Sequence, residues 1–395
     1  MNRNAMKYIL CLAFAAITMI SCRIEPPLNL PTEDVVIENP IVIQELEVIW
    51  NIDVSWRANW IYDWDQEDSL NWGPIGYPEP TRYDVMRYFL GAEMNVPHTR
   101  PEDDFIINTN WFQRRFNFGY YDILVYSLID SPDQIQSVVI DKSNYDEVTA
   151  YTHTRGVRMY RPKAGPVTVQ IYNQPEIFYS ALEKNVHITH DPADYDYYDE
   201  ENHVWVKRLE AVLNPLVYIY LVQVILHNNQ GRISTVSSAC AIDGLADKTS
   251  VTYGNTSEND VSVQFDMRLK KDLNPKKFAK PGETAVDVIG GKLTTFGLCG
   301  MPPWAITRAS SRYEGTRANV NNNFALNLRF KNECDSTYYY DVTKQMQEQS
   351  HGGVITIEID VDTLKIPVSP TPPTSGSGFD PYVEDYKEEV HSFDM

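Results

Sequence analysis

The run Val217-Tyr218-Ile219-Tyr220-Leu221-Val222-Gln223-Val224-Ile225-Leu226 decides the fold class. It closes a notably apolar stretch, Leu209 to Leu226, which is interrupted by Asn214-Pro215. Proline breaks a helix, and the stretch falls short of a bilayer-spanning length. Its Val, Tyr and Ile content suits a pleated surface, and a ten-residue run in which Gln223 alone is polar reads as a buried strand. Ile233 to Ala241 follows across His227-Asn228-Asn229-Gln230-Gly231. The two are expected to form a hairpin with a five-residue loop.

The same pattern recurs on both sides of this run. Downstream, Val251 to Gly254, Val261 to Leu269, Lys292 to Phe296, Phe324 to Phe330 and Val354 to Val361 read as strands. One helix is expected over Val342 to Gln349, capped by Asp341 and ended before Gly352-Gly353. Upstream, Glu45 to Trp56 alternates, with Leu46, Val48, Trp50, Ile52, Val54 and Trp56 on one parity. Tyr83 to Leu90, Gly119 to Tyr126, Val138 to Ile140, Val148 to Tyr151, Val167 to Tyr172 and Val186 to His190 are further strands. Residues 92–112 read as a long polar loop, and Gln174 to Ser180 as a short helical or turn element. Many strands, frequent turn signals and little helical periodicity give an all-β chain of sandwich type. The acidic stretch Asp191 to Glu201 marks the boundary between two β-domains, 42–195 and 196–366.

The ends have a different character. Arg3 and Lys7 precede an apolar core, Tyr8 to Ile20, which is too short to span a bilayer. It runs into Ser21-Cys22, and this pattern resembles a bacterial lipobox. On that reading residues 1–21 are a signal peptide and Cys22 carries the lipid. Residues 22–41 hold Pro26, Pro27, Pro31 and Pro40 among acids and form a tether. Residues 367–395 hold more proline, Ser375-Gly376-Ser377-Gly378 and an acidic end, and form a flexible tail.

Charge narrows the partners. The chain carries a formal charge of −20, and removal of Arg3 and Lys7 with the signal brings it to −22. Such a chain is a poor match for nucleic acid, and its membrane attachment is expected through lipid rather than a basic patch. Cys240, Cys299 and Cys334 are too widely spaced for a disulfide framework or a C-x-x-C metal site, and leave one disulfide or three free thiols open.

Chemistry-bearing patterns are sparse. His187 and His190 are three apart on a strand and face opposite sides, so they do not chelate without a bend. Asp191 to Glu201 lacks EF-hand spacing; it reads as a solvated loop, with calcium binding the alternative. Gly290-Gly291-Lys292 and Gly297-x-x-Gly300 lack phosphate-loop spacing and read as hairpin turns. Trp60, Trp64 and Trp72 lie in loop-like sequence and could stack on sugar rings. No hydrolase or metalloprotease motif stands out, so no enzyme and no cofactor is expected.

Several blocks, in order, carry a family resemblance. Beyond the lipobox at Cys22 they are Phe118-Gly119-Tyr120-Tyr121-Asp122-Ile123-Leu124-Val125-Tyr126, Gln174-Pro175-Glu176-Ile177-Phe178-Tyr179, and Ser238 to Ala246 with Asp243 where serine is usual. Asp341 to Gln345 and Val354 to Val361, running on to Pro367, complete the set. The chain resembles the fimbrial anchor and accessory lipoproteins of Bacteroidales and a related family of Bacteroides lipoproteins. The resemblance implies two tandem transthyretin-like β-sandwich domains, outer-membrane anchoring through lipid, and a fimbrial partner subunit bound by strand addition at a sheet edge. It favours the cell surface over the periplasmic face of that membrane, and Arg23-Ile24-Glu25, which departs from the doubly acidic run expected for export, leaves both faces open. The alternative role is a surface glycan-binding lipoprotein using Trp60, Trp64 and Trp72.

Overall fold

The computed structural model describes residues 38–42, 77–128, 137–160, 167–236, 239–273, 278–302, 320–368 and 391–393. Its first strands are β1 (Glu38–Val42), β2 (Arg82–Gly91), β3 (Asp103–Ile107), β4 (Trp111–Arg115) and β5 (Gly119–Leu128). Next come β6 (Val138–Asp141), β7 (Thr149–Thr152), β8 (Thr154–Tyr160), β9 (Val167–Tyr172) and β10 (Tyr179–Ile188). The middle of the chain holds β11 (Tyr197–Asp199), β12 (Val204–Val206), β13 (Leu209–Glu210), β14 (Asn214–Pro215), β15 (Tyr218–His227) and β16 (Ile233–Val236). Then follow β17 (Cys240–Ala246), β18 (Lys248–Ser250), β19 (Asp260–Phe265), β20 (Met267–Leu273) and β21 (Val286–Thr295). The last elements are β22 (Asn323–Phe330), β23 (Asp335–Asp341), α1 (Thr343–Glu348), β24 (Gly353–Asp360) and β25 (His391–Phe393).

All ten residues of β15 are buried. Tyr218, Tyr220, Val222, Val224 and Leu226 enter the largest core. There they join Ile289 and Leu293 of β21, Ile355, Ile357 and Ile359 of β24, and residues of β17, β19, β22 and β23. That core lies between a four-stranded sheet, β20-β21-β15-β24, and the larger sheet built on β23-β22-β17-β19-β9-β8. The opposite face of β15 is covered as well. Ile219 and Leu221 pack with Val354, Tyr77 and Ile177, and Ile225 packs with Val286 and Val288. A strand covered on both faces has no reason to alternate, which explains a run whose one polar residue, Gln223, is buried and bonded to the Thr356 hydroxyl.

The hairpin expected between this run and Ile233 to Ala241 does not form. β15 lies antiparallel to β21 from Tyr218 opposite Thr295 to Leu226 opposite Asp287, and parallel to β24 from Tyr220 opposite Gly353 to His227 opposite Asp360. Both its edges are taken. β16 instead pairs with β22, Ile233 facing Phe330. The turn at 228–231 was legible, but it carries the chain from one sheet to the other. The Asn229 amide holds both the N–H and the C=O of Ile233 and so fixes that crossing.

Four other local readings change. Residues 92–112 contain β3 and the start of β4. Val251 to Gly254 is a turn, closed by Gly254 N–H donating to Ser250 O at 2.9 Å. Val261 to Leu269 splits at Asp266 into β19 and β20, which belong to different sheets. Gly290 and Gly291 are no hairpin turn but lie inside β21. A Cβ on Gly291 would sit 2.7 Å from the Asp266 carbonyl, so the glycine admits the chain at that corner. The helix starts at Thr343, and the Asp341 carboxylate accepts the Thr343 N–H at 2.9 Å.

A second core forms between the five-stranded sheet β14-β10-β5-β2-β3 and the three-stranded sheet β18-β7-β6. Met86, Tyr88, Leu124, Tyr126, Val138, Val148 and Ala150 meet there with Leu216, Val217, Val251 and Phe296. A polar clamp ties its two sheets. Buried Asp84 on β2 accepts from Lys142 Nζ at 3.0 Å and from the Tyr126 hydroxyl at 2.8 Å, and Lys142 also reaches Asp104 at 2.9 Å. The protein is all-β, of sandwich type.

Asp191–Arg208, with Gln113–Phe116, belongs to a compact unit of its own. Its hairpin pairs β11 with β12, and Trp205 packs against Tyr195 and Tyr198.

Candidate strand-accepting edge

A sheet edge offers unpaired backbone N–H and C=O groups, and proteins blunt those edges that must not recruit another chain. Among the described residues, five outer strands carry such a device. β14 is two residues long and contains Pro215. β3 is short and opens with Asp103 and Asp104, which pair with Arg87 and Lys142. β8 is bulged between Thr154 and Gly156. β20 presents Lys270 and Lys271 beside a bulge, with Asp272 at φ +56°. β24 is hydrogen-bonded by side chains of α1.

β23 differs from these. Its ladder to β22 is unbroken from Asp335 opposite Arg329 to Asp341 opposite Asn323. It contains no proline and no bulge. Tyr338, Tyr339 and Tyr340 are all buried, so the strand is firmly held from within. Burial pushes the Tyr340 hydroxyl far above its usual range, with neighbouring Tyr338 adding to the shift. The Tyr338 hydroxyl donates to Lys365 O at 2.9 Å and so fastens the following segment to the same strand. On its outer edge β23 takes β25 in parallel register: Tyr338 opposite His391, Tyr339 opposite Ser392, Tyr340 opposite Phe393. The chemistry available there is a backbone ladder, which accepts any extended chain and leaves selectivity to alternate side chains.

Solved structures match the chain at low identity. A presumed adhesin from Bacteroides ovatus is 17% identical, with 78% of this chain and 92% of that chain covered and a TM-score of 0.46. The fimbrial anchor protein Mfa2 from Porphyromonas gingivalis is 10% identical over 72% of this chain and 84% of its own, at a TM-score of 0.38. The tip fimbrial protein Mfa3 from the same species is 9% identical over 66% and 76%, at 0.29. TM-scores below 0.5 fix neither family nor role. No family model and no curated protein matches the chain.

Cys22, Trp60, Trp64 and Trp72, the residues singled out from the sequence, lie outside the described residues. Of the other candidates, His187 stacks on Tyr120 at 4.1 Å between ring centroids, and the His190 ring lies 3.4 Å from that of Phe118. Both imidazoles thus have aromatic neighbours near the start of β5. Among the described residues no group of three or more His, Cys, Asp or Glu is placed to hold a metal ion. Cys240 and Cys299 are buried free thiols, and Cys334 is a half-buried one.

The Gln174-Pro175-Glu176 block has a structural task that its sequence does not announce. The Glu176 carboxylate accepts the N–H groups of Ser137 and Val138 at 2.7 and 3.0 Å, and Gln174 Oε1 accepts the Thr294 N–H at 2.8 Å. It therefore anchors β6 to β21. β23 itself was missed in the sequence. Its tyrosine triplet, Tyr338-Tyr339-Tyr340, was the available signal.

Proposed function

We propose that this protein is a lipid-anchored structural protein of the cell envelope. It acts as a fimbrial anchor or accessory subunit and holds a neighbouring subunit by strand addition along β23. The observation that carries this reading is the pairing of β25 with β23, in which an edge already accepts an extended segment in register. The basic start, short apolar core and Ser21-Cys22 support attachment through lipid on Cys22, with the outer membrane and its outer face as the location. An acidic chain of net charge −20 fits a protein partner better than nucleic acid. Anchor is also the role named for Mfa2, and it comes to this chain as a proposal.

The test is co-purification with sheared fimbriae from the native organism, beside fractionation of a Cys22→Ala variant. The protein is expected in the fimbrial fraction, and the variant is expected to leave the membrane. Absence from every fimbrial preparation would overturn the proposal, above all if the protein binds a polysaccharide and loses that binding on Trp60→Ala, Trp64→Ala or Trp72→Ala. A Cys22→Ala protein that stays in the membrane would remove the lipid anchor from the reading.

A further inference from the structure

The edge of β24 is closed in an unusual way. Gln345 lies on α1, and Gln349, the residue that caps its C-terminal end, follows one turn later. The Gln345 amide accepts the Thr356 N–H at 2.9 Å and donates to the Thr356 C=O at 3.0 Å. The Gln349 amide accepts the Val354 N–H at 2.9 Å and donates to the Val354 C=O at 3.0 Å. Each primary amide therefore offers one strand residue the same acceptor and donor pair that a neighbouring strand would offer. The spacing makes this possible. Four residues along a helix rise about 6 Å, and two residues along a strand advance about 6.6 Å. Alternate residues of a strand direct their backbone groups to opposite edges, so Val354 and Thr356 are consecutive positions on one edge.

The surroundings hold the two amides in place. Met346 is fully buried in the main core and pins the helix between the two glutamines. The Tyr220 hydroxyl donates to the Gln349 carbonyl at 2.9 Å. A Cβ on Gly353 would stand 2.0 Å from Gln349 Oε1, so the glycine leaves room for the amide to reach the strand. Farther along β24, Glu358 contacts buried His227 and Asp360 is bonded to Asn228 and Lys280.

We infer that Gln345 and Gln349 are a built-in strand mimic that bars extended chains from β24. The surface beneath them is a strand-pairing surface, and its occupant once uncovered is the same edge of a second copy of this chain. A complementary strand can add there because β24 runs without a bulge against β15 from Gly353 to Asp360 and contains no proline. This inference concerns β24 alone and stands whether or not β23 accepts a partner.

The experiment compares the full chain with Gln345→Ala/Gln349→Ala by amide hydrogen exchange and by light scattering across a concentration series. A labelled peptide of the β24 sequence, Gly353 to Asp360, serves as the probe. In the double variant, exchange at Val354 and Thr356 should accelerate at least tenfold relative to Ile355 and Ile357, and the variant should self-associate and capture the peptide. Gly353→Ala keeps both glutamines and displaces only the Gln349 amide, so exchange should rise at Val354 and not at Thr356. A double variant that folds, exchanges as the parent does and captures no peptide overturns the inference. If the double variant does not fold, the Gly353→Ala exchange pattern decides, and equal or absent changes at the two amides overturn the inference. Failure of the β23 reading alone would show in the fimbrial co-purification and leave these exchange results untouched.

Discussion

His351 should make the protein lose stability in mild acid. The residue follows α1 and is largely buried, edge-on to the Tyr218 ring with centroids 5.2 Å apart. Ser350 Oγ lies 3.1 Å from its Nδ1. Burial pushes the imidazole from its ordinary value of 6.5 down to about 4. The unfolded chain therefore takes up the proton first as pH falls. The stability that depends on neutral His351 is fully present above pH 6.5 and is lost as pH falls through that value towards 4. The fall from 6.5 to about 4, at ~1.4 kcal/mol per pH unit, sets the full size of the effect at roughly 3.5 kcal/mol. Urea unfolding at pH 7.5 and pH 4.5 would be compared for the parent and His351→Gln. Other groups titrate in both proteins, so the quantity of interest is the difference between their pH dependences. The variant should lose about 2–3 kcal/mol less than the parent between the two pH values. Equal losses would refute the reasoning, because they would mean that the folded protein binds the His351 proton as readily as the unfolded chain does.

Three further outcomes follow from the packing. Lys142→Met should destabilise the protein by about 1–3 kcal/mol in urea unfolding, because it strands the buried Asp84 carboxylate; Asp84→Asn in the same background should recover part of that loss. Gly291→Ala should cost about 1–3 kcal/mol in the same assay, since the new methyl would stand 2.6 Å from Met267 Cγ and 2.7 Å from a backbone oxygen. Ile357→Ala, at a fully buried position in the main core, should cost about 2–5 kcal/mol and lower the thermal midpoint correspondingly.

The sequence announced strands far better than partners. Val217 to Leu226 was legible as a buried strand because composition and continuity report burial directly. Its neighbours were not legible, because pairing is set by residues far along the chain. β24 joins β15 across more than a hundred intervening residues, and no local pattern encodes that ladder. Turn signals were similarly half-informative. Asn228 and Gly231 have positive φ, as their residue types suggest, and Gln230 between them does too, yet the bend they make leads to another sheet. Gly290-Gly291 misled for the opposite reason: glycines that admit a crossing backbone look in sequence like glycines that make a turn. The candidate edge at β23 was hidden for the same cause as the pairings, since both of its ladders, to β22 and to β25, are set by the fold. The two glutamines of α1 show the limit most clearly. Their four-residue spacing is visible, but its match to Val354 and Thr356 exists only once the helix lies along that strand.

The edges are best understood together. A sandwich with several open strands would associate through whichever edge it met first, and would grow in more than one direction. Here proline acts on β14, paired acids on β3, a bulge on β8, a bulge with lysines on β20 and two glutamine amides on β24, and the means differ because the local sequences differ. What they share is the effect of withholding a ladder. Against that background the unbroken, tyrosine-rich β23 is the exception that requires a reason, and its pairing with β25 supplies one. On the proposed function, a subunit with one accepting edge forms a head-to-tail contact with a single neighbour and does not branch. That geometry suits the end of an assembly better than its shaft, and it makes a direct demand on the molecule. Opening β24 by removing Gln345 and Gln349 should add a second mode of association without weakening the first, because the two edges belong to different sheets.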